Sequence, residues 1–211
     1  MVKKTRPAIR EYLGASAAIY EKRRGLRKIK ERTTQTAIDL LNLPKEKFVL
    51  DVGSGSGWST ETIMKNGYEV VGIDISKGMG KISTEKGYVM IVGDMRMMGF
   101  RNDIFDGILS ISALNFVTEN CRSRKEIEKN YTEVASEMSR VLKNGGKAII
   151  EFYPKTQDEE SISKQSFLSA GFDGDLFVNT YKKKSGQRFL RLVKTENLDR
   201  KIRIKRICFS F

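Results

Sequence analysis

Apolar residues recur along the chain with two alternating spacings, and this alternation predicts a layered α/β fold. Short apolar runs bounded by glycine or polar residues predict β-strands, which we place at 48–53, 68–74, 88–94, 105–112 and 147–153. The segments between these runs have helical spacing, most clearly 124–145, which we expect Gly145 to end. Its apolar positions are Ile127, Tyr131, Val134, Met138, Val141 and Leu142. Unbroken apolar strands that alternate with helices are typical of a parallel sheet covered on both faces.

The two ends of the chain depart from this alternation. Residues 8–43 predict a helical segment before the first strand, and Pro44 is expected to stop it. The buried stripe of this segment is predicted to contain Ile29, Ala37, Ile38 and Leu41. Near the other end, 175–181 and 187–194 flank the turn-like segment KKKSG and predict an antiparallel hairpin.

Length and composition indicate one globular domain. With 211 residues, of which 39% are hydrophobic, the chain can bury a sizeable core. It contains no apolar run of membrane-spanning length and no signal-like N-terminus, so we expect no membrane association and a cytoplasmic location.

The two cysteines, Cys121 and Cys208, lack metal-type spacing and fit a reducing compartment. The chain has no histidine, which excludes Ser–His–Asp and Cys–His catalysis, and we expect no metal site.

The net charge of +13 is concentrated at the two ends. Residues 1–35 contain 11 lysines and arginines against 3 acidic residues, and residues 182–211 contain 11 against 2, so the centre is mildly acidic. Clustered positive charge favours a polyanionic partner, and we expect RNA to bind through the basic termini. The phosphate contacts we expect are Arg23, Arg24, Arg27 and Lys28. The alternative is that these residues form the solvated face of a charge-rich protein.

The segment LDVGSGSG (50–57) places three glycines at alternate positions directly after a buried strand. A strand, a glycine turn and a helix bind nucleotide-like cofactors in doubly wound folds, because glycine lets a ligand approach the backbone. The segment does not match the dinucleotide-binding motif G-x-G-x-x-G, because the third glycine is absent. It is not a P-loop either, because no Gly-Lys-Ser/Thr follows. Asp51 would repel a pyrophosphate but attract a cation, such as the amino group or sulfonium of S-adenosylmethionine. We therefore expect this cofactor to bind at Asp51 and at the turn residues Gly53, Ser54, Gly55 and Gly57.

Two further acidic residues end the next two predicted strands. Asp74 lies 23 residues after Asp51, where its carboxylate can accept hydrogen bonds from both ribose hydroxyls. Asp94 could accept from the adenine amino group, with Met95 packed on the ring. Isolated acids at strand ends are often ordinary helix N-caps. Three of them at consecutive strand ends, behind a glycine turn, predict a class I methyltransferase.

With these motifs, the chain resembles the small-subunit ribosomal RNA guanine-N7 methyltransferases. The matching segments cover most of residues 20–195 and are RKIKERTTQTAIDLLNL (27–43), VLDVGSGSG (49–57), GIDIS (72–76), GDM (93–95), FDGILSISALNF (105–116), LKNGGKAIIEFYPK (142–155) and SAGFDGDL (169–176). The glycine turn is common to all class I methyltransferases, whereas SISAL followed by FYPK is more specific. The resemblance implies a Rossmann-like α/β domain with a seven-stranded, mostly parallel sheet, one antiparallel strand, helices on both faces and additional N-terminal helices. Within this single domain we expect basic N-terminal helices at 1–44, a cofactor-binding core at 45–195 and a basic strand or tail at 196–211.

The resemblance also implies the residues of the site. Around the cofactor it implies Asp51, Gly53, Gly55, Asp74, Ile75, Asp94, Met95 and Ser110, with Tyr20 as a lid residue. It implies a substrate edge near Asn115, Phe116, Phe152, Tyr153 and Pro154, whose rings either stack on a flipped base or pack within the fold. It further implies a small zinc-binding activator protein as a partner. The apolar, methionine-rich segment 89–100 is the candidate surface for it, with core packing as the alternative.

The chain departs from the family pattern at several positions. Asn115 and Phe116 stand where the family has Gln-Trp, Ser54 where it has cysteine, and Glu151 where it has glutamine. A short tail, IRIKRICFSF, stands in place of a longer basic extension, which suggests an archaeal member.

The available side chains suit methylation of guanine N7, because that atom has a free lone pair and needs no general base. Cytosine C5 methylation would need a cysteine nucleophile beside the cofactor, and Cys121 is predicted in a loop before a helix. Two alternatives remain open. One is a class I methyltransferase that acts on a small metabolite, and the other is a ribosome-assembly scaffold that binds the cofactor without turnover.

Overall fold

The computed structural model describes residues 16–179 and 186–195. Its helices are α1 (Ser16–Glu21), α2 (Arg24–Leu41), α3 (Trp58–Lys65), α4 (Lys77–Glu85), α5 (Arg124–Val141) and α6 (Gln157–Ser169), with a short 3-10 helix at Leu114–Thr118. Its strands are β1 (Phe48–Val52), β2 (Glu69–Asp74), β3 (Met90–Val92), β4 (Phe105–Ile111), β5 (Leu142–Glu151), β6 (Phe172–Asn179) and β7 (Gln187–Lys194). The basic residues before Ser16 and the expected strand or tail at 196–211 lie outside the described residues.

The strands form one seven-stranded sheet in the order β3-β2-β1-β4-β5-β7-β6. Strands β1 to β5 pair in parallel, whereas β7 is antiparallel to both β5 and β6. Within the described residues this confirms the predicted sheet with one antiparallel strand, and it confirms the predicted hairpin. The chain leaves β1 to build one half of the sheet and returns to β4 for the other half. Such a reversal opens a crevice at the carboxyl ends of the strands.

Helices cover both faces of the sheet, and strand alternation decides which side chain meets which helix layer. Leu50 and Val52 pack in the cluster that includes residues of α5 and α6. Val49 packs in the cluster that includes residues of α2 and α3. Because successive side chains of a strand point to opposite faces, Asp51 points toward the layer of α2 and α3.

The N-terminal helical prediction was correct in type and partly wrong in detail. The described part of 8–43 is not one helix, because the chain breaks at Lys22 and Arg23 between α1 and α2. Ala37, Ile38 and Leu41 are buried as predicted. Ile29 was wrongly placed in the buried stripe and is exposed. None of the described helices is both long and apolar enough to cross a bilayer.

The predicted end of α5 was also wrong. The helix ends at Val141, and Leu142 starts β5 instead of extending the apolar stripe of the helix. Gly145 therefore lies inside β5, with a φ of 74°, close to where the β4–β5 register shifts between Phe105 and Gly107. The glycine signal marked an irregularity of the strand and not a helix terminus.

A buried carboxylate, Glu159, joins the elements that border the crevice on the α5 side. It accepts hydrogen bonds from the Thr118 hydroxyl (2.5 Å), the Tyr131 hydroxyl (2.9 Å) and the Lys155 amide (2.5 Å). These donors belong to the 3-10 helix, to α5 and to the loop after β5. Glu159 thereby fixes the positions of two segments that the sequence assigned to the substrate edge.

We expect Glu159→Ala to lower the free energy of unfolding by about 3 kcal/mol, because it leaves several buried donors without an acceptor. Glu159→Gln keeps an acceptor oxygen and should cost less. Asp158→Ala, one residue away but exposed, is the matched control and should change stability little. Urea denaturation of the three variants measures these differences, and equal effects of the changes at 158 and 159 would contradict the assignment.

Candidate functional site

A cavity of about 900 Å³ opens at the carboxyl ends of β1, β2 and β4, where the strand order reverses. Its floor comes from the turns that follow these strands, at 53–56, 73–76 and 111–113, and from 93–96 after β3. One wall is formed by α1 and α2, and the opposite wall by the 3-10 helix and the start of α5. The position agrees with the general location of ligand sites in open α/β sheets.

Asp51 lies in β1, two residues before Gly53, which lines the cavity; it is fully buried and does not itself line the cavity. Its Oδ2 accepts hydrogen bonds from the hydroxyls of Ser59 and Thr60, both at 2.7 Å, in the first turn of α3. Its Oδ1 has no partner among the described residues. Burial raises the pKa of Asp51 to about 6, although the two hydroxyls and the charge of Lys30 act against this shift. The end of β1 therefore holds a desolvated carboxylate with one oxygen that has no hydrogen-bond partner among the described residues.

The glycine turn after β1 has the backbone that its sequence predicts. Gly53 and Gly55 have φ values of 75° and 55°, in the left-handed region that disfavours side chains. A Cβ on Gly53 would lie 2.2 Å from the Cβ of Ala113, so this glycine lets the turn pack against the end of β4. A Cβ on Gly55 would meet nothing within 4 Å. Gly55 thus presents bare backbone to the cavity.

Asp74 ends β2 at the rim of the same cavity. Its Oδ2 accepts from the Gly55 amide and its Oδ1 from the Ser76 amide, both at 2.8 Å. Each carboxylate oxygen retains a further lone pair for a ligand hydroxyl. Burial raises the pKa of Asp74, and the two amides act against the shift. The carboxylate is thus held in a fixed orientation with acceptor capacity left.

Asp94 lines the cavity but has a partner that the sequence analysis did not consider. The guanidinium of Arg96 contacts both carboxylate oxygens, with Nη2 at 2.7 Å from Oδ2 and Nε at 3.1 Å from Oδ1. Arg96 also holds the pKa of Asp94 below its usual range. A ligand amino group would therefore share Asp94 with Arg96. Met95, next to it, lines the cavity as expected.

The N-terminal wall contains the predicted lid residue. Tyr20 lines the cavity and stacks on Trp58, with ring centroids 4.5 Å apart and planes 20° from parallel. Trp58 Nε1 donates to Glu21 (3.0 Å), which also accepts from Lys86 at the end of α4. These contacts attach α1 to α3 and α4. The sequence did not single out Trp58, although it follows the glycine turn directly.

Part of the predicted cofactor set does not reach the cavity. Ser110 is buried on the α5 face of β4, because it alternates with Leu109 and Ile111 on the α2 face, and it does not line the cavity. Gly57 is the N-cap of α3, where a Cβ would lie 2.4 Å from the Tyr88 ring. Its conformation serves packing and not ligand contact. Asp51 does not line the cavity either, whereas the other predicted turn and strand-end residues do, namely Gly53, Ser54, Gly55, Asp74, Ile75, Asp94 and Met95.

The predicted substrate edge divides into exposed and buried residues. Phe116 lines the cavity. Phe152 does not, because it is fully buried in the core, so stacking on a base is wrong for this residue. Asn115 accepts from the Tyr153 amide (2.6 Å), and the Tyr153 hydroxyl donates to Glu151 (2.5 Å), so both have internal roles. Pro154 is half-buried and also lies outside the cavity.

Of the cations that line the cavity, sequence reasoning singled out Arg23, as an RNA contact, and missed Lys30, Arg96 and Lys129. Arg23, Lys30, Arg96 and Lys129 all reach its wall. Lys30 belongs to α2, and its ammonium donates to the carbonyl of Ile111 at the end of β4. The spacing of Arg23, Leu26 and Lys30 indicates that they share one helix face. This face was not considered, because the prediction for α2 followed its apolar stripe.

These observations test whether S-adenosylmethionine fits the site. The cofactor has an amino group that needs a buried acceptor, and Asp51 Oδ1 is a buried acceptor without a partner among the described residues. Its ribose needs a carboxylate at a strand end, and Asp74 is oriented for that. The bare backbone of Gly55 allows close approach, and Ile75, Met79 and Met95 supply apolar lining. The residues present fit this group.

Comparisons with known proteins agree with this geometry. The family described as "Methyltransferase domain" matches residues 50–150. The chain is 31% identical over 157 residues to the 18S rRNA (guanine-N(7))-methyltransferase RID2 of Arabidopsis thaliana, covering 72% of this chain and 54% of that protein. It is 28% identical over 184 residues to the 18S rRNA (guanine-N(7))-methyltransferase bud23 of Schizosaccharomyces pombe, covering 84% and 68%. The chain thus spans about half to two thirds of these curated relatives.

A solved structure is similar in fold. It is the complex between the Haloferax volcanii Trm112 methyltransferase activator and the putative methyltransferase. The TM-score is 0.66 at 18% identity, covering 86% of this chain and 97% of the matched chain.

The raised pKa of Asp51 predicts how stability depends on pH. Because the folded-state pKa is about 6 and the ordinary value is 3.8, folding favours the protonated acid, so stability is highest below about pH 4 and falls until about pH 7. The free energy of unfolding of the ligand-free wild type should fall by about 3 kcal/mol more over this range than that of Asp51→Asn, which has no carboxylate to ionise. Urea denaturation at several pH values measures the difference.

Asp175 provides a comparison, because its pKa is shifted in the direction opposite to that of Asp51. Its carboxylate is exposed, and the hydrogen bond from Arg191 lowers its pKa, so Asp175→Asn should remove a small stabilisation present only above the acid range. If the Asp51 and Asp175 variants gave the same pH trend, the assignment of Asp51 as a destabilising buried charge would be wrong.

Proposed function

We propose that this chain is a class I S-adenosylmethionine-dependent methyltransferase that transfers a methyl group to N7 of a guanine in small-subunit ribosomal RNA. The observation that carries the proposal is the buried oxygen of Asp51 that has no partner among the described residues, in the strand that leads into the bare glycine turn. A desolvated acceptor at this place suits an ammonium group and does not suit a phosphate. The similarity to two 18S rRNA (guanine-N(7))-methyltransferases supports the choice of substrate.

Each residue of the site has a defined task in this proposal. Asp51 Oδ1 accepts from the amino group of the cofactor, and Asp74 accepts from its ribose hydroxyls. Ile75 and Met95 pack against its apolar surface. The bound cofactor supplies an electrophilic methyl group on a sulfonium. The protein's part is to hold that methyl group in line with the attacking nitrogen and to exclude water, which is catalysis by orientation.

The side chains around the cavity favour a nucleophile that needs no base. The chain has no histidine. Cys121 lines the cavity, which the sequence did not predict, but burial raises the pKa of its thiol. A neutral thiol is a poor nucleophile, so cytosine C5 chemistry through Cys121 is disfavoured. Guanine N7 attacks with its own lone pair and fits the site better.

We propose that RNA approaches over the N-terminal helices. Lys22, Arg23, Arg24 and Lys28 are exposed there, and Arg23 also lines the cavity. Arg27, which the sequence grouped with them, is instead paired with Glu31 (2.9 Å) and Glu61 (2.6 Å) and serves to hold α2 on α3. The exposed cations supply phosphate contacts, whose strength depends on salt.

Methyl-group transfer tests the proposed function directly. The purified protein is incubated with methyl-labelled S-adenosylmethionine and unmodified small-subunit RNA or immature subunits, and the RNA is digested to nucleosides. We expect label in 7-methylguanosine and its loss in Asp51→Ala. Label in another nucleoside would overturn the base assignment, and label only in a metabolite extract would overturn RNA as the substrate. Glu160→Ala, which removes a peripheral ion pair with Arg188, is a control that should keep activity.

We propose also that a small zinc-binding activator protein binds the open edge of the sheet. Strand β3 ends the sheet, so one side of its backbone is unpaired within the described residues. Val89 is 67% exposed beside it and Met97 is 80% exposed. Apolar side chains at an open strand edge are typical of a surface that pairs with another chain. The similar fold titled as a complex with a methyltransferase activator supports this choice of partner.

Charge at this edge should abolish the complex. Val89→Lys and Met97→Lys are expected to prevent co-elution with the activator of the same organism in size-exclusion chromatography, because they place a charge in an apolar interface. Val178→Lys on β6, at the opposite edge of the sheet, is the matched control and should co-elute. Co-elution of all three variants would contradict binding at β3, and absence of any wild-type complex would contradict the partner.

A further inference from the structure

Helix α2 presents one face to the cavity, and Lys30 is the residue on that face that reaches the sheet. Arg23, Leu26 and Lys30 line the cavity at spacings of three and four residues. The ammonium of Lys30 donates to the carbonyl of Ile111, the last residue of β4. Lys30 therefore lies over the carboxyl ends of the central strands, next to the glycine turn.

Three carboxylates surround this ammonium group. Lys30 interacts through space with Glu151, Asp51 and Asp74. Asp51 and Glu151 point to the α2 face, since each alternates along its strand with core residues of the opposite face. Negative charges on this face hold a cation in place although burial lowers the pKa of Lys30.

The ammonium has unused hydrogen-bonding capacity. A lysine ammonium has three donor hydrogens, and among the described residues Lys30 has one acceptor, the Ile111 carbonyl. Glu151 is already engaged, because its two oxygens accept from the hydroxyls of Ser112 and Tyr153. Two donor hydrogens of Lys30 are therefore available to a ligand in the cavity.

The other cations of the cavity are less suited to bind a buried anion. Arg23 and Lys129 are exposed to solvent, where water weakens their attraction for an anion. The guanidinium of Arg96 is already paired with Asp94. Lys30 is thus the shielded cation that has both a fixed position and free donors, and it lies on the same face as Asp51.

We propose that Lys30 binds the α-carboxylate of the cofactor's methionine moiety while Asp51 binds its α-amino group. The inference rests on the proposed function, since it concerns the cofactor assigned there. The amino-acid end of that cofactor is a zwitterion, and this site offers one cation and one anion of matching sign in a water-poor environment. Asp51 alone would recognise a primary amine. Lys30 adds selection for an amino acid.

Ligands that lack the carboxylate isolate this contact. Isothermal titration calorimetry compares S-adenosylhomocysteine with its decarboxylated analogue, which retains the amino group, and with 5′-methylthioadenosine, which lacks both groups. Lys30→Met should weaken binding of S-adenosylhomocysteine by about 10- to 100-fold, the range for losing a hydrogen bond to a charged group. Binding of the other two ligands should change by less than about threefold, because neither makes the contact.

Several variants separate this role from a structural one. Arg32→Met removes a positive charge from the exposed face of α2 and should leave all three affinities unchanged. Lys30→Arg should retain the preference for the carboxylate. If Lys30→Met unfolds at a lower temperature than the wild type, Lys30→Gln replaces it, because glutamine keeps a donor for the Ile111 carbonyl without the charge. Lys30→Gln should still lose the preference for the carboxylate. Thermal denaturation of each ligand-free variant shows whether the fold is intact.

The outcomes distinguish the two proposals. A wild type that binds none of the three ligands would overturn the proposed function and this inference together. A wild type that binds S-adenosylhomocysteine and its decarboxylated analogue equally would overturn the role of Lys30 alone. Equal losses for all three ligands in Lys30→Met would assign Lys30 to the packing of α2 against β4 and also contradict the inference.

Discussion

The buried carboxylate of Asp51 is the constraint on which the rest of the site depends. An ionised acid without water is costly, and here two hydroxyls of α3 compensate only one of its oxygens. The structure therefore keeps an unfavourable group at the tip of its central strand, where Gly53 brings the end of β4 close and Gly55 leaves the backbone bare. A core built for stability alone would place an apolar residue between Leu50 and Val52. The cost becomes useful only when a cationic ligand supplies the missing partner.

The sheet directs its two edges and two faces to different tasks. Parallel strands bring the turns after β1, β2 and β4 to one end, so residues distant in sequence meet without long loops. The α5 face is an apolar core that extends from Leu50 to Phe172, whereas the α2 face carries Asp51, Glu151 and the ammonium of Lys30. Both faces contribute buried apolar clusters to stability, and the α2 face carries these charged groups in addition.

The sequence predicted the strands well because buried parallel strands read as short apolar runs whatever surrounds them. Asp51 and Asp74 were found because a glycine turn and a strand end fix their place before any packing is known. Phe152 could not be assigned in the same way, because the sequence pattern of an aromatic residue at a strand end is the same whether its ring faces the core or a ligand. Ile29 was misplaced because its spacing from Ala37 fits a helical stripe, whereas its exposure depends on what covers this part of α2, which is a tertiary property. Lys30 was missed because its role depends on which face of α2 meets β4, which is a tertiary property.

The acidic and basic side chains of this site compensate each other's charge. Asp94 is paired with Arg96, Glu21 with Lys86, and Asp51 is balanced through space by Lys30. Pairs in direct contact satisfy each other and mainly fix the walls. Asp51 and Lys30 differ, because neither hydrogen-bonds the other within the described residues and each retains hydrogen-bonding capacity. A ligand that carries an ammonium and a carboxylate can satisfy both at once, whereas water satisfies them only in part. Selectivity at this end of the cavity then follows from the arrangement of two opposite charges, and methyl transfer needs no further acid or base.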